Sequence, residues 1–210
     1  MLQNMARSFV IYIIGIITLT LGISLTIQSQ LGASPFDALL VGLYRTFGLT
    51  IGSWEIIVGF TIVMLNAIAI KAKPEWFAML TSFITGLGID SWLFIQGSWL
   101  TPDNWLEQSA ILLFGIIFSG IGIAIYLESS FAPNPMDRSM VIITDKTGLS
   151  FGISRAIISI ALVIVALLFQ GDVGIGTLVN ALCTGVIIQA LRPYVVLIKQ
   201  KYVVPSMKAS

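Results

Sequence analysis

The sequence predicts an all-α, polytopic membrane bundle built from two internal repeats, with six long spans and two short re-entrant half-helices. Three observations predict it. The chain is 57% hydrophobic and only 10% charged, where soluble domains carry about 25% charged residues. Six apolar segments, near 8–28, 53–71, 76–95, 109–127, 153–170 and 175–197, each approach the roughly 20 helical residues that a hydrocarbon core of about 30 Å requires. Finally, LGASPFDALL at 31–40 returns as FAPNPMDRSM at 131–140, so Pro35 and Asp37 recur as Pro135 and Asp137 at a spacing of 100.

The elements follow in chain order. ARSFVIYIIGIITLTLGISLTI is long enough to span and has no small-residue cleavage site near its end, so it reads as the first span and not as a cleaved leader. Residues 35–47 are apolar but number only 13, a length that suits a re-entrant or interfacial helix better than a span. Two long segments then complete the first repeat, 1–95. The linker 96–108 carries Asp103 and Glu107 and no basic residue, which places it outside. The second repeat, 109–198, has the same order, with 135–147 as its short helix, and a cytoplasmic tail follows at 199–210.

The repeat extends beyond the two short helices. Residues 22–63 set against 122–163 give eleven identities, among them Gly22, Ser29, Gly48 and Gly52 with Gly122, Ser129, Gly148 and Gly152. After a one-residue slip, Thr85 and Gly86 match Thr184 and Gly185, and Asp90 faces Gln189. Internal repeats of this kind are common in transporters. With six spans and both termini cytoplasmic, ten basic residues lie inside and only Arg45 outside; eight spans with parallel repeats give eight to three, so the positive-inside rule favours inverted repeats. Against that, Glu55 aligns with Arg155 and Arg45 with Asp145, opposite charges that parallel repeats would bring to one face.

The aspartates have a local reading. Ser34, Pro35 and Asp37 fit an N-cap, a proline at the first helical position and the acidic partner of a capping box. Asn134, Pro135 and Asp137 fit the same scheme. Such a cap contributes about 1 kcal/mol in water and more in hydrocarbon, where every unpaired amide is costly. The functional reading adds a pathway: half-helices from opposite faces would bring both carboxylates toward the middle, and an intramembrane carboxylate is by default a functional group. Because each positive helix end carries its own carboxylate, the site would admit a proton, a small cation or the amine of a zwitterion. Candidate pathway residues are Asp37, Asp137, Ser34, Asn134, Asp90 and Gln189, with Pro35 and Pro135 starting the half-helices. Asp90 also reads as an interfacial carboxylate near Trp92, Asn66 and Asn180 as interhelical hydrogen-bonding residues, and Cys183 as a packed thiol.

Several classes are excluded. There is no histidine and one cysteine, so no metal site, cofactor or intrachain disulfide is expected, and no nucleophile, base and orienting group that would make an enzyme. A net charge of +1 offers nothing to nucleic acid. The partners expected are the lipid bilayer and a small solute or ion; a homo-oligomer is compatible.

The runs LGASPFDALLVGL, GLTIGSWEIIVGF, PEWFAMLTSFITGLGID and GIGTLVNALCTGVIIQ resemble the YczE/YyaS/YitT group of bacterial integral membrane proteins. The likeness covers nearly the whole chain, with SPxD and TIGxW its most specific parts. It implies a multi-pass plasma-membrane protein and supplies no substrate. The group's GxGT recurs in both halves, whereas the first half here has Pro74, Glu75, Trp76 and Phe77. Two functions follow from the sequence: a small-solute transporter or channel with its site between the repeats, or a non-transporting accessory or assembly protein.

Overall fold

The computed structural model describes residues 2–97, 99–129, 131 and 134–202. Among these, eight helices succeed one another: α1 (Leu2–Gln28), α2 (Pro35–Phe47), α3 (Ile51–Ile70), α4 (Trp76–Gln96), α5 (Trp105–Leu127), α6 (Pro135–Thr147), α7 (Phe151–Leu168) and α8 (Ile175–Tyr202). The two short helices have 13 residues each. Five helices are long and apolar enough to cross a membrane, and α7 carries a slightly shorter apolar stretch, Gly152–Leu168. Large apolar side chains such as Phe94, Leu106 and Leu168 are exposed around the outside, as lipid-facing surfaces are. The linker is shorter than expected, because Asn104 and Glu107 cap each other's ends and start α5 at Trp105: Asn104 accepts from the Glu107 amide at 3.0 Å, and Glu107 accepts from the Asp103 amide at 3.0 Å. The proposed tail at 199–210 begins as the end of α8 and then leaves the described residues.

The centre is a seam between α1 and α5. Four residue pairs register it: Gly15 with Tyr126, Leu19 with Gly122, Gly22 with Ser119, and Thr26 with Gly115. As one number rises the other falls, so the helices are antiparallel. Adding 100 to Gly15 and Gly22 gives Gly115 and Gly122, so each glycine contact has its counterpart across a two-fold axis. The glycines let the backbones meet, as small residues do in membrane interfaces.

The remaining packing obeys the same two-fold. Helix α2 packs on α7, and α6 on α3; α4 lies along α1, and α8 along α5. Arg45 and Thr46, at the end of α2, donate to Gln170 and Phe169 carbonyls at the end of α7. At the end of α6, Lys146 donates to the Ala69 carbonyl at the end of α3. Since α3 starts where α2 ends and α7 starts where α6 ends, α3 and α7 cross in opposite directions. The repeats are therefore inverted, and the parallel eight-span arrangement does not hold. Face one is where α2 ends and α3 begins; face two is where α6 ends and α7 begins.

One seam breaks the symmetry. Helices α3 and α4 pack closely through Gly52 against Gly86 and Gly59 against Ser82. Among the described residues no comparable packing joins α7 and α8, and nothing lies within 4 Å of a Cβ built on Gly152 or Gly185.

Candidate functional site

The two short helices begin inside the bundle, and the sequence explains how. Both follow a serine turn: Ser29 donates to the Thr26 carbonyl at 2.6 Å and accepts from the Leu31 amide, while Ser129 donates to the Tyr126 carbonyl at 2.6 Å and accepts from the Phe131 amide. Proline at the first helical position then needs no amide partner. In α2 the Ser34 hydroxyl donates to Asp37 at 2.5 Å and accepts from the Asp37 amide at 3.3 Å. In α6 the scheme differs from the expected copy. Asn134 accepts from the Met136 amide at 3.0 Å, and Asp137 accepts instead from the Tyr126 hydroxyl on α5. Asp37 is thus tied within its own turn, and Asp137 to the central seam.

Both helix starts line one cavity of about 130 Å³, to which all eight helices contribute. A single water needs roughly 10–15 Å³ by a comparable measure, so there is room for several waters or a small solute. Ser34, Pro35, Asp37, Asn134 and Asp137 are in the lining, as expected. Pro135 is buried behind it, and its carbonyl accepts from the Asn66 amide nitrogen at 3.1 Å, which fastens α6 to α3.

Two expected pathway residues lie elsewhere. Asp90 is not in the cavity. It accepts from the Thr50 hydroxyl at 2.6 Å and the Gly52 amide at 2.8 Å, clasping the start of α3 to α4. Orphan amides at a helix start need such an acceptor. Gln189 is exposed on the outer side of α8, beside Arg192 and Pro193. Cys183 is exposed as well.

The cavity also holds groups that the repeat pattern passed over. Glu55 is 1% exposed and accepts from the Asn134 side-chain nitrogen at 3.5 Å. Glu55 and Arg155 both line the cavity, together with Asp37 and Asp137. Glu55 and Arg155 therefore face one cavity although the repeats are inverted: α3 and α7 flank the axis, so equivalent inward positions face each other across it. Thr85 lies at the wall 1% exposed, and its hydroxyl has no hydrogen-bond partner among the described residues. A buried hydroxyl without a partner is costly. No group of three or more His, Cys, Asp or Glu that could hold a metal occurs among the described residues.

Comparison with other proteins places the chain. Its residues 6–193 match a family model described as a family of unknown function, DUF6198. It is 41% identical over 187 residues to "Uncharacterized protein YyaS" of Bacillus subtilis, covering 89% of this chain and 93% of that protein. It is 33% identical over 196 residues to "Uncharacterized membrane protein YczE" of the same organism, covering 92% and 89%. A third relative, "Uncharacterized protein" of Haemophilus influenzae, is 29% identical over 172 residues, covering 81% and 77%. No solved structure matches. With inverted repeats of apolar helices around a cavity that holds buried carboxyl groups, and with these relatives, the chain is an integral membrane protein and belongs to the DUF6198 family.

Proposed function

We propose that this membrane protein moves a small amine-bearing solute, a cation or a zwitterion, through the cavity between its repeats. The observation that carries the reading is the meeting of two helix starts and three carboxyl groups, Asp37, Glu55 and Asp137, with Arg155, around a space of about 130 Å³. Non-helical chain inside a membrane protein is tolerated where it lines a cavity. A helix start carries roughly half a positive charge, and each of these two is offset by an aspartate in its own first turn. The acidic groups suit an amine, and Arg155 suits the carboxylate that a zwitterion would bring.

The orientation follows from charge. Lys71, Lys73, Lys146 and Arg192 lie toward face two and Arg45 toward face one, so face two and both chain ends are assigned to the cytoplasm.

The test uses purified protein. Thermal stability in detergent is measured across a panel of alkali cations, small amines and amino acids, and solutes that stabilise are then followed in proteoliposomes. Saturable uptake that Asp137→Asn abolishes while the variant remains folded supports the reading. Stable, well-reconstituted protein that neither binds nor moves any member of the panel refutes this solute class and favours an accessory role.

A further inference from the structure

The two halves are identical in architecture and different in state. At the start of α3, Gly52 lies so close to α4 that a Cβ there would stand 2.1 Å from the Gly86 carbonyl oxygen. Deeper in, a Cβ on Gly59 would stand 2.3 Å from the Ser82 hydroxyl. Asp90 clasps this seam through Thr50 and Gly52. The counterparts in the second half are Ser150, Gly152 and Ser159 on the α7 side, and Ala181, Gly185 and Gln189 on α8. None of these contacts is made. Gly152 and Gly185 have open space beside them, Ser159 and Ala181 line the cavity, and Gln189 is exposed.

The opening has a direction. Helices α7 and α8 are joined at face one, so they part toward face two, where α7 begins. Helices α3 and α4 are joined at face two and shut at face one. The cavity accordingly takes three lining residues from each of α7 and α8 but only Glu55 and Thr85 from the shut pair.

We propose that the protein is a carrier with two conformations related by its own two-fold axis, of which this structure is one: the α3–α4 gate shut by the Asp90 clasp, the α7–α8 gate parted. In the other conformation Gly152 closes on Gly185, Gln189 takes the place of Asp90, and the Gly52–Gly86 seam opens. This rests on the transport reading above and deepens it, because a fixed channel needs no exchange of gates. The two gates are unequal. A serine and an alanine, Ser159 and Ala181, stand where Gly59 meets Ser82, so the second gate cannot shut as closely at that level, and glutamine brings no charge to its clasp. Both differences favour the conformation seen here.

Paired spin labels at equivalent exposed positions test this in a Cys183→Ala background. Ile57→Cys with Leu87→Cys reports the first gate, and Ile157→Cys with Val186→Cys the second; these four residues are 43%, 52%, 47% and 68% exposed. Double electron–electron resonance is recorded in phosphatidylcholine–phosphatidylglycerol vesicles. The parent should give a shorter distance at 57–87 than at 157–186. Asp90→Ala, which removes the clasp, should add a longer population at 57–87 and a shorter one at 157–186. Gln189→Asp, at an exposed position that does not challenge folding, should shift both pairs in the same directions by supplying the second clasp. Widening at 57–87 with no response at 157–186, or Gln189→Asp leaving both distances unchanged, overturns the two-state proposal. Solute flux through vesicles whose gate distances stay fixed also overturns it and leaves a channel. Exchanging gates in vesicles that move no solute would instead overturn the transport reading while keeping the two conformations.

Discussion

Gly22→Ala places one methyl group in the central α1–α5 seam, and the cost can be worked from its neighbours. A Cβ at Gly22 would stand 2.3 Å from the Ser119 amide nitrogen and 2.7 Å from the Gly115 carbonyl oxygen. Both are backbone atoms and cannot swing away, so α1 and α5 would have to part by about 1 Å to restore ordinary contact. Overpacking of this kind costs about 1–3 kcal/mol, and the better helix propensity of alanine returns at most about 1 kcal/mol. The expected net loss is about 1–2 kcal/mol. Gly122→Ala, whose Cβ would meet the Leu19 amide nitrogen at 2.3 Å, should cost the same, because the two-fold makes it the same perturbation. The double variant should cost at least about 0.5 kcal/mol less than the sum, since helices already parted have room for the second methyl. Gly185→Ala is the control: nothing lies within 4 Å of its Cβ, so stability should hold or rise slightly. Thermal midpoints in mild detergent, read by fluorescence-detected size exclusion, order the four variants. Equal losses at Gly22, Gly122 and Gly185, or no loss at the two seam glycines, would refute the reasoning.

Asp37→Asn and Asp137→Asn keep a side-chain oxygen for Ser34 and Tyr126, so both variants should fold normally while solute binding falls at least tenfold; because they share one cavity, the binding losses should be strongly non-additive, and strict additivity would separate them into two independent caps. Tyr126→Phe removes the hydroxyl that donates to buried Asp137 and should cost about 1–3 kcal/mol in the same thermal assay; an unchanged midpoint would mean that solvent replaces it. In a Cys183→Ala background, Ser53→Cys and Ser150→Cys should react with a membrane-impermeant maleimide from opposite faces, outside and inside respectively, and labelling of both from one face would overturn the inverted arrangement.

Most of the fold was legible because the bilayer imposes lengths. The runs of about 20 apolar residues became the long helices, and the two runs of 13 became helices that begin within the bundle. The cap residues were legible at Ser34, where a short hydroxyl reaches the Asp37 amide. They were less so at Asn134, whose longer side chain reaches Met136 and leaves Asp137 to Tyr126. Glu55 and Arg155 were visible as aligned opposite charges but were assigned to separate faces, since a topology count records which end of a helix a residue is near and not which way it faces. Asp90 had two readings, pathway residue and helix-end carboxylate, and it stands near the end of α4, outside the cavity lining. Its partner is the amide of Gly52, and backbone donors at a helix start leave no mark on hydropathy or on the repeat. Cys183 was taken as packed because an apolar helix in a bundle is usually covered, but it lies on an exposed side of α8.

The pattern of identity between the repeats bears on what the protein is for. Gly15, Gly22, Ser29, Pro35 and Asp37 each recur 100 residues on, and these positions build the central seam and start the half-helices, where inverted symmetry demands the same backbone geometry twice. The repeats diverge inside: Glu55 against Arg155, Gly59 against Ser159, Ser82 against Ala181, Asp90 against Gln189. These divergent residues sit at the cavity or at the two gates. A site that must favour one solute, and a gate that must rest shut on one face and parted on the other, both require the symmetry to be broken at those positions. On the carrier proposal, the near-symmetric scaffold permits two conformations, and the asymmetric interior makes them differ in energy and in chemistry. The same proposal assigns roles to Glu55, Arg155 and the gate residues as much as to the repeated aspartates.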